Sequence, residues 1–365
     1  MGVGLANSVL SAGHAFGEGV NWSKAQEVFT SLLVSPIVGF VFAGLLLLIA
    51  KATIHRPELY ASPEGRVPPM WIRGLLMLTC TGVSFAHGSN DGQKGMGLIM
   101  LILIGILPGI YALNMDVDAA ALNRLSAASQ SAIVILDKRV TPGISSSNPH
   151  DELSNFLRTG KADEKTFAAL SAENHRIADK LSGKTSFKAL PSQERRSLRS
   201  EIYLVSKTLG KLDKQNKFPD AAEKKFLADY KQQLEGVTEF IPPWVKVAVA
   251  FALGVGTMIG WKRIVVTVGE KIGKDHLTYA QGASAELVAM GTIAAADHFG
   301  LPVSTTHVLS SGVAGTMAAN RSGLQMDTLR NLLLAWVLTL PVCVLLGAAS
   351  FAASLFFIFN ILGLK

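Results

Sequence analysis

The first run of residues able to do chemistry is His87-Gly88-Ser89-Asn90-Asp91-Gly92-Gln93-Lys94-Gly95-Met96-Gly97, set between two apolar stretches, 71–87 and 95–113. A carboxylate or an ammonium group at membrane depth costs several kcal/mol unless it is paired or solvated, so Asp91 and Lys94 mark a functional site. The four glycines predict a helix broken at 88–94. Backbone amides freed at the start of the second half-helix would face an anion, with the positive end of the helix dipole behind them. Ser89 adds a hydroxyl and Lys94 a full positive charge. Asn90 and Asp91 offer oxygens to a cation, or Asp91 carries a proton. The competing reading is a polar loop between two ordinary helices, for which Gly-Ser-Asn-Asp-Gly is good turn chemistry.

The second run is Pro302-Val303-Ser304-Thr305-Thr306-His307, followed by Ser310 and Ser311. Three hydroxyls and an imidazole in four residues give many hydrogen-bond donors without fixed charge, which suits a desolvated oxyanion that must also leave. Such residues also serve simply to join membrane helices. Glu286 lies in the first third of a moderately apolar segment and reads either as a protonatable or cation-binding group or as a helix-end residue reaching water. Asp297-His298 reads as interfacial. His87 and His307 read as neutral hydrogen-bonding residues, or as proton relays given an ordinary imidazole pKa near ~6.5. Metal-ligand spacing, phosphate-binding loops, dinucleotide fingerprints and nucleophile elbows are all missing from the sequence, which predicts neither an enzyme nor a cofactor.

The elements that must hold these residues are set by hydropathy. Of 365 residues, 49% are hydrophobic and only 17% charged, with a mean hydropathy of +0.35. This is more apolar than a soluble domain of that length. Residues 29–50 carry no charge over the ~20 positions that a spanning helix needs. Further apolar runs cover 71–87, 95–113, 243–261, 279–296, 303–319 and 331–363, and they predict six to eight membrane segments. The last run is too long for one upright span and must tilt, break near Pro341 or leave the hydrocarbon. The fold class is an all-α integral membrane protein, a polytopic helical bundle with broken or re-entrant helices.

Residues 114–241 differ: they hold 20 of the 34 Lys and Arg residues and 17 of the 27 acidic ones, a composition that predicts a soluble insertion. Leu198, Ile202, Val205, Leu209 and Leu212, and then Phe226, Tyr230 and Leu234, recur at helical spacing. Gly143 to Pro149 reads as an exposed loop. The domain layout is 1–28, 29–113 with the first motif, the insertion 114–241, and 242–365 with the second motif. The net charge of +7 is a matter of topology rather than nucleic-acid binding, because short cytoplasmic loops collect Lys and Arg. Lys51, Arg56, Arg66 and Arg73 bracket one such connector, and Lys262, Arg263, Lys271 and Lys274 form another. Both connectors are expected in the cytoplasm and the insertion in the periplasm. Cys80 and Cys343 lie in apolar stretches and behave as small hydrophobes.

The chain also echoes itself. Gly2-Val3-Gly4, then 22–29, then an apolar run with Pro36, parallels 312–315, then 326–331, then a run with Pro341, a weak repeat of the kind that transporters show. The later copy is preceded by the Pro302–His307 motif and the earlier copy is not, so the chain reads as starting partway through a first repeat.

Taken together, Phe85 to Gly95 and Gly300 to His307 resemble the two signatures of the PiT family of inorganic phosphate transporters, in the form of its bacterial low-affinity members. Thr278 to Gly282, Gly256 to Trp261 and Ala335 to Val337 are similar to those members as well. The resemblance implies an inverted-repeat secondary transporter, here incomplete, working by alternating access in the bacterial inner membrane. It further implies a phosphate site lined by Ser89, Asn90, Asp91, Lys94, Ser304, Thr305, Thr306 and His307, with Asp91 and Glu286 for the coupling ion or proton. Coupling to protons is implied, with phosphate carried alone or with a divalent metal. Gln93 and Lys94, standing where the wider pattern has Ala and Asn, argue against sodium. The expected partners are phosphate, the bilayer, and either a second copy or a complementary N-terminal half. The alternatives are a truncated, non-transporting fragment or scaffold, or a carrier of another oxyanion such as sulfate.

Overall fold

The computed structural model describes residues 1–10, 15–17, 20–62, 68–357 and 360. Arg66 and nearly all of the apolar run beyond residue 357 lie outside the described residues, as does part of segment 1–28. In chain order the helices are α1 (Gly2–Leu10), α2 (Trp22–Thr53), α3 (Pro57–Tyr60), α4 (Met70–Ile106), α5 (Pro108–Tyr111), α6 (Ala119–Asp137), α7 (Pro149–Thr159) and α8 (Glu164–Leu181). They continue with α9 (Ser192–Lys214), α10 (Ala221–Thr238), α11 (Pro243–Met258), α12 (Trp261–Glu270), α13 (Tyr279–Phe299), α14 (Thr305–Ala319) and α15 (Met326–Phe356). Extended pairing among the described residues is limited to one bridge, Gly273 to Leu324. The chain divides into two compact units, Met1–Gln93 with Ala250–Lys365, and Lys94–Val249.

In the first unit, α2 and α15 are long and apolar enough to cross a membrane. Each runs unbroken through an interior proline, Pro36 and Pro341 respectively. The last apolar run therefore does not break at Pro341. One further candidate is the pair α10 and α11, bent by 73°. The six to eight expected passages exceed this count because α4 carries its polar motif mid-helix and α14 is short and built of small residues.

Small residues allow the closest helix pair. A Cβ on Gly315 of α14 would stand 2.0 Å from the Phe40 carbonyl oxygen of α2, and one on Gly39 would stand 2.5 Å from the Val308 carbonyl oxygen. The same device joins α1 to α15, where a Cβ on Gly2 would meet the Val344 carbonyl oxygen at 2.1 Å. The two halves of the sequence echo thus pack crosswise: the small-residue helix of each lies against the long proline-containing helix of the other.

Helices α13 and α14 form a hairpin. Gly300, at φ 64°, ends α13, and the Ser304 side chain caps α14. The two open ends are tied together: Lys274 N donates to Gly323 O at 3.2 Å, and Gln325 N donates to Ile272 O at 2.9 Å. The chain therefore goes in over roughly 31 Å of α13, turns at 300–304 and returns to the end where it started, which is the shape of a re-entrant hairpin.

The second unit has its own core. Leu198, Ile202, Val205, Leu209 and Leu212 of α9 are buried against Leu227, Tyr230 and Leu234 of α10 and Phe156 and Leu170 of α7 and α8. Asp118, Asp163 and Asp220 cap their helices, satisfying amides that would otherwise lack partners. The Tyr230 hydroxyl donates to Asn174 Oδ1 at 2.6 Å, and the Asn174 amide donates to Ser129 O.

Candidate functional site

Helix α4 is continuous through 88–94, which corrects the expected break. Each glycine in a helix interior costs about 1 kcal/mol relative to alanine. A break in apolar surroundings would leave several backbone groups unpaired at several kcal/mol each, so the unbroken helix wins. The glycines leave α4 thinly covered with side chains instead: nothing lies within 4 Å of the position a Cβ would take on Gly88 or Gly97. The free helix N-terminus of the site belongs to α14, at the hairpin tip.

With α4 unbroken, Thr79, Val83, Ala86, His87, Asn90, Asp91 and Lys94 fall on one face at three- and four-residue spacing. Glu286, Ala289, Met290, Ile293 and Asp297 do the same on α13. Thr79 Oγ1 donates to Glu286 Oε2 at 2.5 Å, and Asn90 Nδ2 donates to Asp297 Oδ1 at 2.5 Å. Both pairs are 207 residues apart, so the two helices run parallel and in register. Between the two polar contacts Val83, Ala86, Ala289 and Ile293 pack with Val308 of α14.

At the hairpin tip α14 joins them. His87 Nε2 lies 2.9 Å from Asp91 Oδ2 and 3.3 Å from Thr305 Oγ1. Asn90 and Thr305 are buried, and Asp91 is half-buried. The tip of the hairpin therefore meets α4 near the middle of its 37 residues, bringing two carboxylates, an imidazole, a carboxamide and a hydroxyl around the start of a helix. Such a set holds an anion through amides and hydroxyls while its carboxylates take up protons or cations.

Ser304 caps α14, accepting from His307 N at 3.4 Å, and Thr306 is exposed. The His307 ring stacks on Trp336 of α15 with centroids 4.5 Å apart. Ser89 points off the polar face of α4, and Lys94 continues that face one turn beyond Asn90. Glu286 sits about three turns from the tip, at the far end of the shared α4–α13 face. Behind α13, Ser31 and Ser35 of α2 face Thr292 and Val303 across a cleft of about 780 Å³. Ser35 is buried there, its hydroxyl without a hydrogen-bond partner.

From sequence alone Asp297 reads as interfacial and Thr79 carries no role, yet both form the contacts between α4 and α13. One signal could have found the first: Asp297 follows Glu286 by eleven residues, about three helical turns, so both lie on one face. Cys80 and Cys343 are both exposed and unpaired to each other.

Residues 1–347 match the phosphate transporter family. The low-affinity inorganic phosphate transporter PitA of Escherichia coli K12 is 37% identical over 376 residues, 98% of this chain and 74% of its own length. PitB of the same strain is 36% identical over 95% of this chain and 72% of its own length. A low-affinity inorganic phosphate transporter of Buchnera aphidicola from Acyrthosiphon pisum is 36% identical, covering 98% of this chain and 74% of its own length. No solved structure matches the chain.

Proposed function

Because the chain belongs to the phosphate transporter family, we propose that it binds phosphate where the tip of the α13–α14 hairpin meets the polar face of α4. The protein is an inorganic phosphate transporter of the membrane, not an enzyme. The observation that carries the site is the approach of Thr305 to His87, 218 residues apart in sequence, with Asp91 on the same imidazole nitrogen.

The amides that open α14, the hydroxyls of Ser304, Thr305 and Thr306, and Lys94 supply donors and positive charge to the anion. Ser89 and His307 flank this centre rather than form it. Asp91 takes the coupling proton, passing it through His87, and Glu286 offers a second protonatable group toward the other end of α13. A proton neutralises a carboxylate beside the incoming phosphate, which removes the like-charge repulsion that would oppose binding. Sodium is disfavoured because Lys94 places a cation where an oxygen ligand would help. A divalent metal travels, where it does, as part of the phosphate cargo. The cleft behind α13, mostly apolar with a few hydroxyls from α2, leaves the hairpin room to rock between two faces of the bacterial inner membrane.

The test is radiolabelled phosphate uptake into proteoliposomes made with this chain alone, under an imposed proton gradient and without sodium. Wild type accumulates phosphate, and Asp91→Asn lowers the rate at least about tenfold, the size expected for loss of a positioned proton carrier. Equal uptake by wild type and Asp91→Asn would sink the site. Uptake blocked by sulfate as strongly as by unlabelled phosphate would favour a broader oxyanion carrier.

A further inference from the structure

Helix α12 carries two unlike faces. Gly260, at φ 80°, turns the chain sharply into it. Trp261, Ile264 and Val265 then lie on one side and are 57%, 60% and 57% exposed. On the other side Lys262, Arg263 and Lys271 line a cleft of about 820 Å³, whose opposite wall is Thr328, Asn331 and Leu332 of α15. No ion pair joins any of these three cations to a carboxylate among the described residues, and neither Glu270 nor Asp327 lines the cleft. Three cations line this cleft and no carboxylate does, so the cleft gains by taking in an anion.

The position of the cleft narrows the choice of anion. Its α15 wall ends where that helix becomes continuously apolar, with Leu333, Leu334, Val337 and Leu338 all exposed, on a helix long and apolar enough to cross a membrane. The cleft therefore lies at the level of the lipid headgroups. An amphipathic helix with an exposed tryptophan on its apolar face and Lys and Arg on its polar face suits that interface. A soluble anion has no use for Trp261, Ile264 and Val265, whereas a phospholipid would place its acyl chains against them.

We propose that the α12–α15 cleft holds the phosphate headgroup of an anionic phospholipid, with Lys262, Arg263 and Lys271 around the phosphate and the apolar face of α12 against the acyl chains. The site is separate from the transport site at the hairpin tip.

Native mass spectrometry of the full chain in detergent, titrated with phosphatidylglycerol or with phosphatidylcholine of the same acyl chains, tests it. Wild type retains phosphatidylglycerol at concentrations where phosphatidylcholine is lost. The triple variant Lys262→Gln, Arg263→Gln, Lys271→Gln weakens retention on the order of a hundredfold, about fivefold for each cation removed. Lys161→Gln, Lys165→Gln, Lys188→Gln, which removes the same charge from the second unit, leaves retention unchanged. Should the triple variant fail to fold, Lys271→Gln alone, on an exposed side chain, lowers retention about fivefold. Equal retention of both lipids, equal loss in the control variant, or displacement of phosphatidylglycerol by millimolar inorganic phosphate would each overturn the assignment, the last by making this a free-phosphate site.

Discussion

Asp297 shows how much a single partner changes a residue's meaning. Alone, it is a carboxylate one turn from the end of an apolar helix, and water is its expected company. In the structure it accepts the amide of Asn90, a buried residue of the first motif, at 2.5 Å. Taking away that acceptor costs about 1–3 kcal/mol of desolvation at a buried amide. We expect Asp297→Ala to lower the thermal midpoint of the purified protein and to raise the KM for phosphate, with Asp297→Asn, which keeps an acceptor oxygen, recovering most of the KM. An unchanged KM in Asp297→Ala would show that Asn90 needs no help from α13. The residues of the two motifs are legible from sequence because charge and hydroxyl groups stand out in apolar runs. Their pairing is not, since 207 residues of chain separate Asn90 from Asp297.

Among the elements, the glycines divide into two kinds that sequence alone does not distinguish. Gly315 and Gly39 let α2 and α14 touch backbone to backbone. A methyl group at Gly315 would have to push a main-chain carbonyl aside, so Gly315→Ala should destabilise by about 1–3 kcal/mol or more, as overpacking does. Gly88 has open space where a Cβ would go. There Gly88→Ala should leave the thermal midpoint unchanged or raise it by the helix propensity gained, up to about 1 kcal/mol. Thermal unfolding of the two variants side by side checks both, and a stable Gly315→Ala would mean that the helices are free to separate. From sequence the glycines of 88–97 read as helix breakers because local propensity favours that. The structure overrides it because a long apolar helix keeps its hydrogen bonds inside.

At the scale of the whole molecule, the two units have separate cores, so their stabilities should respond separately. In the second unit Glu173 of α8 is fully buried and pairs with Arg176 at 3.1 Å, while its other oxygen lacks a partner. Burial pushes its carboxyl above the usual 4.5, and Glu201 across on α9 adds to this, while Arg176, His150 and Lys180 oppose it. The folded state therefore binds this proton more tightly than the unfolded one. Its stabilising contribution is complete at low pH and is lost as pH rises from about 4.5 through the raised value. Glu173→Gln should slow amide exchange in α8 at pH 7, with the advantage fading as pH falls toward 4.5 and exchange in α13 unaffected. An equal change in α13 would show that the units open together.

Hydropathy and composition add up residue by residue, so the sequence by itself determined the membrane class, the helical insertion, the two motifs and the family. Packing does not add up that way. Whether a glycine breaks a helix or admits a neighbour, and whether an aspartate meets water or an asparagine, depend on what lies opposite in space. Those outcomes were decided only by the tertiary structure, because the energy of a buried polar group is set by its partner rather than by its place in the chain.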